Sequence, residues 1–170
     1  AWVAWAWDLL GGLAVVVVAW LLFPATVGMV SSFFLDEVVR AVERRHYPHL
    51  PPAHQTGMGE ELLTALRFFA VVLLVNLVAL PLYLMLPGLN LVIFYTVNGY
   101  LLGREYFEMV AIRRLGRKEA AFLRRTKPLK PFLAGIVIAF LSTIPFVNLL
   151  VPVIASAFMV HVYQSMSVSR

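Results

Sequence analysis

The sequence predicts an all-α integral membrane protein, with one long spanning helix and two helical hairpins, broken by proline and asparagine, that partly penetrate the bilayer. The chain has 170 residues, of which 61% are hydrophobic and only 14% are charged. Soluble domains carry about 25% charged residues, and one of this size has too little interior for so many apolar side chains. Two long uncharged stretches, Phe68 to Gly103 and Pro131 to Ser169, each contain the pattern Pro-x-x-Asn-Leu near the middle.

The first element is the spanning helix, with a cytoplasmic extension, over residues 9–46. Its 27 residues from Leu9 to Leu35 carry no charge. At about 1.5 Å per residue they reach about 40 Å, enough to cross a hydrocarbon layer of roughly 30 Å with some tilt. Residues 1–8 hold three tryptophans, as an interfacial belt does. They lack the basic region of a signal peptide and do not begin with methionine, so we expect a truncated chain.

Residues 47–59 form a predicted loop, because three prolines and two glycines interrupt the helical pattern. His46, His49 and His54 lie in or beside this loop, but their spacing fits no zinc motif, and we interpret them as solvated. His161 lies on an apolar arm, where we expect it to be packed or at the membrane boundary. No metal or cofactor is predicted.

Residues 60–115 form the first hairpin and its exit helix, residues 116–130 a basic connector, and residues 131–165 the second hairpin. The whole chain, residues 1–170, is predicted to be one membrane domain. The predicted arms of the two hairpins are about Phe68–Leu86, Leu91–Leu102, Phe132–Ile144 and Leu149–Tyr163. Three of these arms have about 12–15 residues and would reach about 18–23 Å, which predicts penetration without crossing. Ordinary spans are the alternative.

The two hairpin turns are the first candidate site. Asn90 and Asn148 are predicted N-caps of the helices that follow, since an asparagine oxygen accepts from the free N–H groups of a first turn. Such helix starts, with Gly88 beside them, could hold an anion inside the membrane without a formal charge. The plainer alternative is that the asparagines satisfy only their own backbone and the two tips pack on each other.

The charged exit helix after Gly103 is the second candidate site. Arg104 and Glu108 are four residues apart and are predicted to pair, with Glu105 on a neighbouring position. With Arg113 and Arg114, they could attract anions to a vestibule while the carboxylates fix the geometry. The alternative is an interfacial helix held together by ion pairs.

Charge and composition restrict the function classes. Residues 103–130 carry nine basic and three acidic side chains, and the positive-inside rule predicts that this segment is cytoplasmic. A basic loop next to membrane insertions is more often topological than a nucleic-acid site, so we predict no nucleic-acid partner. The absence of cysteine excludes disulfides and thiolate metal sites. Neither a nucleophile elbow nor a phosphate-binding glycine loop occurs, and no enzyme is predicted.

The run from Tyr100 to Leu115 and the run from Ile144 to Val153 resemble the CysZ sulfate-permease family. This resemblance implies an inner-membrane protein with two spanning helices and two half-penetrating hairpins, assembled as an oligomer, that takes up sulfate for cysteine synthesis. The family's first spanning helix, with its anion-contacting glycine–arginine segment, would precede Ala1. Those sulfate ligands are therefore not carried over to this chain.

Together these observations predict a channel or permease for sulfate or a similar oxyanion in the bacterial inner membrane. Its predicted partners are the lipid bilayer, the inorganic anion and further copies of the chain. The alternative is a scaffold that transports nothing and binds partners or shapes the bilayer through its hairpins.

Overall fold

The computed structural model describes residues 11–13, 15–16, 31, 34–53 and 57–167. The chain divides into two compact units, residues 1–37 and 38–170. In the first unit, residues 11–13, 15–16, 31 and 34–37 are helical. The predicted interfacial start, residues 1–8, and most of the predicted spanning helix lie outside the described residues. The remaining description concerns the second unit.

All regular structure in the described residues is helical, and no strand occurs among them, which confirms the predicted all-α class. The α-helices of the second unit are α1 (38–46), α2 (Met58–Met85), α3 (Asn90–Leu115), α4 (Arg117–Thr126), α5 (Leu129–Ser142) and α6 (Val147–Ser167).

The first predicted break lies between α2 and α3. The chain leaves α2 at Leu86 and forms a short 3₁₀ turn, Pro87–Leu89, before α3 begins. Proline has no N–H to continue the hydrogen-bond ladder and restricts the residue before it, so α2 ends there. The Leu89 N–H donates to the Leu86 carbonyl at 2.9 Å and holds the turn closed.

The second predicted break lies between α5 and α6, and its geometry differs. Phe146 has a φ of 66°, in the left-handed region that non-glycine residues rarely occupy. The Val147 N–H donates to the Pro145 carbonyl at 2.8 Å, and the Asn148 N–H donates to the Ile144 carbonyl at 3.0 Å. Backbone carbonyls of the turn therefore satisfy the first N–H groups of α6.

The prediction that the two asparagines are N-caps is wrong. Helix α3 begins at Asn90 itself, so Leu89 is the cap, and α6 begins at Val147, one residue before Asn148. Turned by 180°, the Asn90 amide donates from its nitrogen to the carbonyls of Tyr83 and Leu86, at 3.2 Å from each. At the start of α6 the turn backbone already provides the acceptors, so an asparagine oxygen is not needed there.

Two described helices are long and apolar enough to cross a membrane, Leu62–Met85 with 24 residues and Val147–Ser167 with 21. The prediction that three arms are too short is therefore wrong for α6, since the helix starts before Leu149 and continues past Tyr163. Helix α5 is shorter, with 14 residues. At about 1.5 Å per residue it reaches about 21 Å.

Close packing between α3 and α5 organises the second unit. Gly99 and Gly103 lie on one face of α3, opposite Gly135 of α5. A Cβ on Gly135 would overlap the carbonyl oxygen of Gly99, and a Cβ on Gly103 would overlap the carbonyl oxygen of Pro131. Small residues spaced by four let two helix backbones approach in this way. The contact fixes α3 as the helix against which α4, α5 and α6 pack.

The apolar core lies beside this contact. Phe107, Ile138, Met159 and Met166 are the largest side chains that are fully buried within it, and they come from α3, α5 and α6. Ala120 and Leu123 bring one face of α4 into the same core. The opposite face of α4 is therefore directed away from the core.

Candidate functional site

Gly116 separates the charged end of α3 from α4. Its φ of 74° lies in the left-handed region, which glycine adopts without a steric penalty. The Gly116 N–H donates to the Ile112 carbonyl at 2.9 Å and closes α3, and α4 begins at Arg117. The positive φ redirects the chain, so that α4 packs on α3 instead of extending it.

The basic face of α4 meets α2 and α3 around a cleft of about 680 Å³. Helix α4 contributes positions 117, 121, 124 and 125, which follow helical spacing on the side away from Ala120 and Leu123. The polar side chains that line the cleft belong to Thr64, Arg67, Tyr100, Arg104, Glu108, Arg117, Arg124 and Arg125. Among the described side chains that line the cleft, five are arginines and one, Glu108, carries a carboxylate.

Glu108 joins two of these arginines. Its Oε1 accepts from Arg104 Nε at 3.0 Å and from Arg124 Nε at 3.1 Å. All three side chains are about 13% exposed. The structure thus confirms the predicted pair between Arg104 and Glu108, and it adds Arg124 from α4, which the spacing along α3 did not predict.

Arg117 lies in the same lining with an incomplete set of hydrogen bonds. Its Nη2 donates to the backbone carbonyl of Glu60. Its Nη1 is buried and has no hydrogen-bond partner within the described part of the chain. Buried polar atoms are paired in nearly all native structures, so an orphaned guanidinium nitrogen marks a position suited to an acceptor from a ligand.

The other two arginines of the cleft, Arg67 and Arg125, are exposed. Neither forms an ion pair with another side chain in the residues that the structure describes. Their charges are therefore available to a solute that enters from solvent. They lie on α2 and α4, so the cleft is basic on both of these walls.

The remaining predicted residues of the exit helix lie outside this lining. Arg114 donates from Nε to Glu43 at 2.9 Å and from Nη1 to the Pro51 carbonyl, which fastens α1 and the following loop to α3. Arg113 also has interactions of its own. Of the predicted vestibule residues, the structure brings only Arg104 and Glu108 into the cleft.

Glu105 and Tyr106 follow Arg104 on α3. Glu105 keeps part of its side chain in solvent, and the protein packed around the rest of its carboxyl desolvates it and raises its pKa above the ordinary value. Desolvation, with the neighbouring Glu105 carboxylate as the second cause, raises the pKa of Tyr106 to about 12. Neither residue lines the cleft.

The hairpin tips form a separate region. Gly88, Asn90 and Asn148 are exposed, and none of them lines the cleft. Asn90 precedes Arg104 by fourteen residues on the same helix. At about 1.5 Å per residue, the two positions lie about 21 Å apart along the axis of α3. The two candidate sites predicted from sequence are therefore distinct.

The histidines form a small aromatic cluster. The Tyr47 hydroxyl lies 2.8 Å from His161 Nδ1, and the rings of His46 and His161 are 5.1 Å apart. His161 is itself exposed, and its contacts with Tyr47 and His46 join the end of α1 to α6. Within the described residues, no group of histidine and carboxylate side chains is arranged to hold a metal.

Sequence reasoning missed four arginines of the site: Arg67, Arg117, Arg124 and Arg125. A signal was present in α4, where three of its arginines repeat at helical spacing opposite Ala120 and Leu123. The contribution of α2 had no such signal, because Arg67 is distant in sequence from the connector. Only the tertiary packing of α4 against α3 brings these residues together.

Comparison with known proteins gives one match. The family model described as "Sulfate transporter CysZ/Etoposide-induced protein 2.4" matches residues 1–152. Neither the curated proteins nor the solved structures gave a match to the chain. The family description and the two long apolar helices indicate a membrane protein of a transporter family. The family match covers most of the 170 residues, and the chain belongs to the Sulfate transporter CysZ/Etoposide-induced protein 2.4 family.

Proposed function

We propose that this chain conducts sulfate or a similar oxyanion through a membrane, and that the arginine-lined cleft captures the anion. The observation that carries the proposal is the buried Nη1 of Arg117, which lacks an acceptor among the described residues of a cleft lined by five arginines. An oxyanion supplies both the missing acceptor and the compensating charge.

Guanidinium chemistry favours this class of ligand. The planar, always charged guanidinium presents several N–H donors in a fixed fork, which matches the oxygens of sulfate or phosphate. The cleft walls come from three helices, so donors approach a bound anion from several sides. The described side chains of the cleft include one carboxylate and five arginines, and this excess of positive charge concentrates anions from solution.

The position of the cleft supports a role in transport. Ala70 and Val71 of α2 line it; they lie within the long apolar helix Leu62–Met85, and no charged residue follows them on α2. On α3, the residues before Arg104 are uncharged back to the turn at Asn90. The cleft thus lies where charged segments give way to apolar ones, as expected for an entrance at a membrane boundary.

The proposed path leads from the cleft towards the hairpin tips at Gly88, Asn90 and Asn148. In this proposal the basic connector and the cleft face the cytoplasm of a bacterium, the hairpins enter the inner membrane from that side, and several copies assemble around the path. Irregular backbone at the tips is tolerated inside a membrane where protein or water shields it. The sulfate would supply cysteine synthesis.

Flux measurements test this function. Purified protein in liposomes should pass radiolabelled sulfate, and Arg117→Gln should lower the initial flux at low sulfate by about tenfold, since a charge-assisted hydrogen bond contributes about 1.5–3 kcal/mol. Arg45→Gln is the matched control, because Arg45 is an exposed arginine outside the cleft. Flux no higher than in empty liposomes would end the proposal. Equal losses of flux in both variants would show that the cleft does not capture the anion.

The alternative is a scaffold or bilayer-shaping protein, which the exposed apolar face of α2 favours. Leu73, Leu77 and Leu84 on this helix are 57%, 69% and 75% exposed. A scaffold would bind vesicles and change their shape while passing no sulfate. Electron microscopy of the same liposomes that are used for flux separates the two functions.

A further inference from the structure

We infer that Glu108 is a built-in competitor for the transported anion, whose carboxylate occupies Arg104 and Arg124 until a doubly charged oxyanion displaces it. This inference rests on the proposed function and assigns to Glu108 the control of affinity in the capture step. Its carboxylate offsets part of the positive charge of the empty cleft, and an anion must replace it to reach Arg104 and Arg124.

The Glu108 carboxylate makes the hydrogen bonds that a bound anion would make with the same two arginines. A single oxygen, Glu108 Oε1, bridges Arg104 of α3 and Arg124 of α4, at 3.0 and 3.1 Å. Both arginines bind it through Nε, and a guanidinium carries further N–H donors on its η nitrogens. Neither pair has the two parallel hydrogen bonds that make arginine–carboxylate pairs strongest. The bridge is therefore one that a ligand with more oxygens can replace.

The surrounding charges make displacement feasible. Arg67, Arg117 and Arg125 line the same cleft and are not bound to Glu108. An anion that has made its first contact with these three arginines needs only a shift of the Glu108 side chain to reach the other two. The carboxylate, itself 13% exposed, can then turn towards solvent.

An internal competitor of this kind lowers the apparent affinity of every anion, because only the fraction of protein with free arginines can bind it. Sulfate brings two charges and several oxygens, and it can bridge both guanidiniums as the carboxylate did. Chloride brings one charge and a single acceptor atom, so it makes fewer charge-assisted hydrogen bonds. The arginines therefore favour sulfate over chloride, and Glu108 determines how tightly either anion binds.

Calorimetric titration of the purified full chain tests the inference. Glu108→Gln removes the competing charge but keeps the side-chain length, so sulfate should bind about tenfold more tightly. Glu119→Gln is the matched control, since Glu119 is an exposed glutamate on α4 outside the cleft. Its sulfate affinity should change less than twofold by the same reasoning.

The other possible outcomes of this titration lead to different conclusions. Weaker or unchanged sulfate binding in Glu108→Gln, with an unchanged melting temperature, would show that Glu108 positions the arginines and would overturn the inference. Glu108→Asp keeps the charge but is too short to bridge both partners, so it should give an intermediate gain in affinity if Glu108→Gln does not fold. Absence of sulfate binding in the wild type and in all variants would instead reject the proposed function itself.

Discussion

Helices α2 and α6 both have the length and composition of a membrane span, yet they make very different contacts. Of the 18-residue window that identifies each span, 6% is buried in α2 and 44% in α6. Met159 and Val160 of α6 are fully buried against α3 and α5, whereas Met85 at the end of α2 is 77% exposed. Hydropathy therefore identifies candidate spans but does not tell which of them holds the protein together.

The difference originates in the glycines of the α3–α5 contact. Gly99, Gly103 and Gly135 bring these two backbones together, and α6 then packs on the same core. Helix α2 lines the cleft with only a few side chains. A large apolar face left outside a core is covered by lipid or by another protein. We therefore expect α5 and α6 to determine stability and α2 to determine membrane contact.

The largest expected effect comes from Gly135. Gly135→Ala places a Cβ on the Gly99 carbonyl oxygen, so the two helices must separate, and the free energy of unfolding in detergent should fall by about 3 kcal/mol. Gly88→Ala is the matched control, because nothing lies within 4 Å of a Cβ there. It should change stability by less than about 0.5 kcal/mol. Similar losses in both variants would show that the glycine contact does not organise the fold.

A matched methionine pair tests the comparison between α6 and α2 directly. Met159→Ala leaves a cavity in the core and should destabilise the protein by about 2–3 kcal/mol. Met85→Ala removes a side chain that is 77% exposed and should change stability by less than about 0.5 kcal/mol in detergent. Thermal unfolding of the two variants measures both effects. A loss in Met85→Ala as large as that in Met159→Ala would mean that α2 carries unrecognised tertiary contacts.

Much of the fold was predictable because local chemistry determines it. Pro87 and Pro145 mark both breaks, and the four-residue spacing of Arg104 and Glu108 predicts their pair. The prediction of asparagine caps failed because α3 begins one residue earlier and α6 two residues earlier than expected. The start of α6 depends on which backbone carbonyls the turn supplies, and the sequence does not show this. The Gly99-x-x-x-Gly103 spacing was visible in the sequence, but its partner at Gly135 depends on tertiary packing.

Most of the candidate site was not predictable from local chemistry. Arg67 of α2 and Arg117 of α4 are fifty residues apart in the sequence, and only the turn at Gly116 and the burial of Ala120 and Leu123 orient α4 towards α2. Arg125, interpreted from sequence as part of a distal connector, lines the same cleft as Arg104 for this reason. Charge counting predicted a basic segment but not the concave surface that it forms.

Sulfate-dependent thermal stabilisation is the most direct test of the central claim, that the cleft captures the anion. At constant ionic strength, with chloride replacing sulfate, the wild-type protein should gain about 2.7 kcal/mol when sulfate is a hundred times its Kd. Asn148→Leu, at a hairpin tip, should keep this gain, and Arg117→Gln, in the cleft, should lose about half of it, because a tenfold weaker Kd leaves about 1.4 kcal/mol at the same sulfate concentration. Stabilisation that survives Arg117→Gln but disappears in Asn148→Leu would contradict the account and assign anion capture to the tip.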